Sequence, residues 1–117
     1  MNREPHLEIA MTLDFHISAD EEKAAKELPV FSLSENMHTQ LFLRARELRQ
    51  LPQLGRMSDF YQDASYGQAS LAALLQELRQ VIPLFSGRPQ MQAILQQLAE
   101  VSQTAISQGK NVYVFCD

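Results

Sequence analysis

The chain lacks tryptophan and has a single cysteine, Cys116, so no disulfide can form within it. A lone thiol fits a reducing compartment. The four glycines, Gly55, Gly67, Gly87 and Gly109, stand far apart. That spacing excludes a glycine-rich phosphate loop, and no G-x-S-x-G elbow occurs. No stretch approaches the roughly 18 consecutive apolar residues that a membrane-spanning helix needs. The opening "MNREPHLEIA" has no apolar run of the signal-peptide kind. Excess positive charge is missing too: the formal net charge is −4. Such a surface is repelled by a nucleic-acid backbone and suits a basic protein partner. These absences give the expectation of a soluble, cytoplasmic protein with no nucleic-acid or membrane partner.

What is present is enough for one domain. The chain has 117 residues, 45% of them hydrophobic, which suffices for a core without disulfides or a structural metal. Residues 1–10, with Pro5 and early charges, read as a loose lead-in, and 11–117 as a single domain. In "TLDFHIS", Leu13, Phe15 and Ile17 alternate with Asp14, His16 and Ser18, the period of a strand with one buried face. "ADEEKAAKELP" reads as a mobile connection with some helical turn. "VFSLSE" reads as a second strand. It overlaps a helix start at which Ser32 with Glu35 matches a capping box and Ser34 competes as cap.

Three helical segments follow. The first places Met37, Leu41, Ala45 and Leu48 on one stripe, widened by Phe42 and ended by Pro52. "SDFYQDA" is expected as a short helix capped by Ser58. The second segment has a broad face of Leu71, Leu74, Leu75, Leu78, Val81 and Ile82, stopped or kinked by Pro83. The third opens at Pro89, buries Met91, Ile94, Leu95, Leu98 and Val101 on one side, and closes at Gly109. "NVYVFCD" alternates again and reads as a final strand. The expected architecture is α+β: a two- or three-stranded sheet, N-terminal strand paired with C-terminal strand, covered on one side by about three helices.

Chemical motifs are sparse. His6, His16 and His38 show no pair at metal-ligand spacing, and nothing calls for a metal or cofactor. His16 alternates away from the apolar face and is expected in solvent, and His38 lies beside the first helical stripe. Cys116 shares a face with Val112 and Val114, the place of an inert thiol. Arg44, Arg46, Arg49 and Arg56 are basic, but Arg44 and Arg46 cannot share a line on a helix, and Glu47 sits among them. Asp59 and Asp63, four apart, would share a helix face, yet their polar neighbours leave them solvated. No catalytic set emerges, so an enzyme is not expected. The distinctive cluster is Asp59, Tyr61, Asp63 and Tyr66. It is either a decorated turn or a partner-binding patch, since tyrosine is enriched at interfaces and acids steer basic partners.

The succession "MTLDFHIS", "VFSLSENMHTQLF", "MSDFYQDAS", two leucine-rich helices and "NVYVFCD" resembles small bacterial immunity proteins encoded beside polymorphic or contact-dependent toxins. The most specific parts are "LDF", "SENMHTQLF" and "DFYQDA". The resemblance implies a non-enzymatic protein that binds one cognate toxin in the producing cell's cytoplasm and blocks it. Two rivals stand beside it. One is a self-associating domain whose helix faces or terminal strand pair across a homodimer, an exposed edge strand such as "NVYVFCD" being able to do so. The other is a ligand-binding or enzymatic role built on His38, Glu35 or the aspartates.

Overall fold

The computed structural model describes residues 11–44 and 46–117. The lead-in, with His6, and Ala45 of the first stripe lie outside them. Eleven elements follow in order, of which nine are strands and α-helices: β1 (Thr12–Ser18), α1 (Glu21–Ala24), β2 (Phe31–Ser34), α2 (Glu35–Arg44), α3 (Arg46–Gln50), β3 (Ala64–Tyr66), α4 (Gln68–Val81), α5 (Pro89–Gln108) and β4 (Asn111–Cys116). The other two are 3₁₀ turns, Leu54–Met57 before β3 and Ile82–Phe85 after α4. The class is α+β, with one strand and two short helices more than the periodicity announced.

All four strands are antiparallel, in the order β2-β1-β4-β3. The first and last strands pair as expected, with Phe15 opposite Val114 and Ile17 opposite Val112. Strand β4 is therefore interior. "NVYVFCD" has no free edge to offer a second copy, which corrects that expectation; among the described strands the edges are β2 and β3. Strand β3 begins at Ala64, the last residue of the expected "SDFYQDA" helix, and runs on through Ser65 and Tyr66, to which no element was assigned. It has three residues, too few to show a period, and is specified by pairing Tyr66 with Val112.

One sheet face presents Leu13, Phe15, Leu33, Tyr66, Val112 and Val114 to the helices, and all are buried. Helices α4 and α5 close over it with Leu71, Leu74, Leu78, Leu95, Leu98 and Ala105. Burying one leucine side chain contributes about 1.5–3 kcal/mol. This layer therefore outweighs any single cap or turn. Helix α5 ends at Gly109, whose φ of 66° is left-handed and whose N–H reaches Ala105 and Ile106 carbonyls.

The opposite face is also covered, and here the sequence reading needs correction. His16 is only 6% exposed. Its ring lies 5.3 Å from that of Phe115. Helix α1 packs against β1, Ala24 is fully buried, and Glu21 borders the same depression as Tyr113 and Phe115. The charged connection is thus a short helix laid on the sheet, capped by Asp20, which accepts from the Lys23 N–H at 2.8 Å. Asp14 accepts from the Thr12 and Ser32 hydroxyls at 2.7 Å each, tying β1 to β2. Ser32 is thereby occupied, and Ser34 caps α2 by accepting from the Met37 N–H at 3.2 Å.

Candidate functional site

The segment between α3 and β3 has little regular structure, and side chains from its neighbours hold it. Glu77 on α4 accepts from the Gln53 and Leu54 N–H groups at 3.0 and 2.8 Å. Tyr66 donates its hydroxyl to the Gln53 carbonyl at 2.8 Å. His38 on α2 donates from Nε2 to the Met57 carbonyl at 2.7 Å. A carbonyl only accepts, so Nε2 carries the proton and Nδ1 keeps a lone pair. Gly55 is required in this segment, because a Cβ there would collide with the Arg49 carbonyl.

On that base stands the turn 58–61. Asp59 accepts from the Tyr61 N–H at 3.0 Å, an aspartate-braced turn. Tyr61 projects outward, 62% exposed, yet its hydroxyl donates to Glu35 at 2.7 Å. Its ring meets Phe60 edge-on, centroids 5.4 Å apart. The side chain is therefore fixed at both ends while most of its surface faces solvent. The hydrogen bond to Glu35 holds the Tyr61 phenol above its ordinary pKa.

Between α2 and this turn runs an open groove of about 450 Å³, lined by Glu35, His38, Thr39, Phe42, Arg49, Ser58, Asp59, Phe60 and Tyr61. His38 forms part of its floor and is 4% exposed. Its ring sits 4.7 Å from Phe42 and 5.1 Å from Phe60. Burial pushes its pKa down, against the Met57 bond and the Asp59 and Glu35 carboxylates. The ring is neutral at pH 7.

The expected cluster is only half assembled. Asp59 and Tyr61 line the groove. Asp63 instead accepts from the Cys116 N–H at 3.1 Å, so one of its oxygens serves the end of β4. Tyr66 is fully buried and cannot face a partner; burial pushes its phenol up. The Arg56 guanidinium lies over its ring, 4.4 Å from the centroid. No helix forms over 58–63, so the expected Asp59–Asp63 face does not exist. Cys116 is half-buried, and burial, with Asp63 beside it, raises its thiol pKa.

Glu35, His38 and Phe42 enter the groove from one face of α2. Their i, i+3 and i+7 spacing was the signal for grouping them. Their meeting with residues 59–61 depends on the fold of the intervening segment, which no local period encodes. Among the described residues no group of three or more His, Cys, Asp or Glu side chains is placed to hold a metal ion. No described helix is long and apolar enough to cross a membrane. The chain matches no protein-family model, and neither a curated protein nor a solved structure matches it.

Proposed function

We propose that this chain is a non-enzymatic protein-binding protein that neutralises a cognate bacterial toxin by one-to-one occlusion. It would act in the cytoplasm of the toxin-producing cell, as the resemblance to immunity proteins implies. The observation behind this reading is Tyr61, a large exposed ring whose backbone and hydroxyl are both hydrogen-bonded in place. Tyrosines of this kind dominate binding energy at interfaces. Fixing the side chain before encounter removes part of the ordering cost of association. Glu35 and Asp59 beside it steer a basic partner. The groove is wide and open, a form that receives a protruding side chain rather than enclosing a small substrate.

The test is calorimetry with the product of the adjacent gene. The expected result is a one-to-one complex that Tyr61→Ala weakens by about 2 kcal/mol or more, roughly 30-fold. No complex at micromolar concentrations removes the reading.

Self-association keeps one observation in its favour, at a different edge from the one expected. Strand β2 is uncharged and outermost among the described strands, and Leu28 and Val30 just before it are 89% and 54% exposed. The β3 edge, by contrast, is guarded by Arg56, which donates to the Ser65 carbonyl. Light scattering decides: a strict monomer eliminates the dimer.

A further inference from the structure

We propose that the groove between α2 and the 58–61 turn receives an arginine side chain of the protein partner. This rests on the reading that the ligand is a protein and adds the chemistry that the site recognises. The two carboxylates bracket Tyr61, Glu35 at its hydroxyl and Asp59 at its backbone N–H. Each contact uses one lone-pair site of a group that has about four. Most of their accepting capacity therefore stays open to a guest.

His38 adds a further acceptor. Its Nε2–H is committed to Met57. Among the described residues no donor reaches Nδ1, although the residue is 4% exposed and lines the groove. That lone pair belongs to a ring that lines the groove. Tyr61 supplies exposed aromatic surface beside it, and the largely buried Phe42 and Phe60 line the groove.

The complementary guest carries positive charge, several N–H donors and a flat face. A guanidinium has all three: five donors in a planar fork, weak hydration and a preference for aromatic surface. An ammonium is more strongly hydrated and offers no plane. An anion meets two carboxylates. An uncharged apolar group leaves the His38 lone pair and both carboxylates unpaired in the contact, at a cost. The chain's own Arg49 lines the groove and competes with the guest. Two carboxylates against one guanidinium still leave the groove negative.

The experiment is a side-chain NMR titration of the full chain with N-acetyl-arginine amide, set against N-acetyl-citrulline amide, its uncharged isostere. Arginine is expected to give saturable millimolar shifts at the His38 imidazole and the Tyr61 ring, and citrulline none. The Glu35→Gln/Asp59→Asn double variant weakens the arginine response about tenfold or more, the loss of charge-assisted contacts. Arg49→Ala strengthens it. Both variants change exposed side chains, and an unchanged amide spectrum shows that they fold. Equal shifts from citrulline, no shifts from arginine, or a response lost in Arg49→Ala each overturn the proposal. Arginine captured in the expected pattern by a chain that does not bind the adjacent gene product removes the toxin-binding reading alone. A complex with that product but no arginine response removes the arginine site alone.

Discussion

The layer of α4 and α5 on the sheet and the stretch from Glu35 to Asp63 are built on different principles. The first buries leucines in long regular helices and owes its order to apolar area. The second also buries Leu41, Phe42, Leu48, Leu54, Met57 and Phe60, but it is broken into short pieces whose backbone is tied by hydrogen bonds to the side chains of Glu77, Tyr66 and His38. Apolar layers tolerate volume-conserving exchange, because area has no direction. Hydrogen-bonded segments do not, because each bond fixes one geometry. The groove lies in the second region, where chain direction is free to place Tyr61, Glu35 and Asp59 together. A leucine-packed frame and a hydrogen-bonded contact surface are thus kept in separate parts of a small domain.

Substitutions in the two regions should therefore fail differently. The largest effect is expected in the apolar layer. Leu98→Ala should cost about 2–5 kcal/mol in urea unfolding, through lost burial and the cavity left behind. A cost under 1 kcal/mol would mean that this layer does not dominate stability. Next comes Glu77→Ala, which strips the acceptor from two backbone N–H groups and should cost about 1–3 kcal/mol. Hydrogen exchange at Gln53 and Leu54 should quicken more than exchange in α5. Uniform quickening would erase the distinction between the regions.

A smaller effect is expected from pH. Burial holds His38 below its ordinary pKa of 6.5 in the fold. Above pH 6.5 the ring is neutral in both states, and its contribution is complete. As pH falls below 6.5 the unfolded chain takes up the proton first, so stability drops until the folded value is passed. His38→Gln retains a donor for Met57 and does not titrate. Its unfolding free energy should therefore fall less than the parent's between pH 7 and 5; equal falls would mean that His38 is not buried in this way. The smallest expected change in stability, within about 0.5 kcal/mol, belongs to Glu35→Gln on the surface. Its signature is local: the Tyr61 phenol should titrate closer to its ordinary 10.0 in NMR, since the main cause of its upward shift is the bond to Glu35.

Much of the apolar layer was legible in the sequence. Helix α5 runs from Pro89 to Gln108 with Gly109 as its cap, and β1 and β4 pair as their alternation suggested. Period and punctuation are local signals, and these elements obey them. His16 shows where such reasoning stops: alternation identified its face but could not reveal that α1 lies over that face. Tyr66 shows the same for the site. It sits three residues from Asp63 in a polar stretch, and only its pairing with β4 sends its ring into the core. Tyr61 and Asp59 were recognisable as a pair, while Glu35 joins them across 26 positions by a contact that no spacing rule reaches.

The most direct test of the groove as the contact surface is backbone hydrogen exchange of the chain bound to the adjacent gene product, compared with the free chain. New protection is expected across residues 35–39 and 58–61, with little change on the solvent face of α5. Protection centred on α5, or on the β2 edge, would place the partner elsewhere and contradict the account.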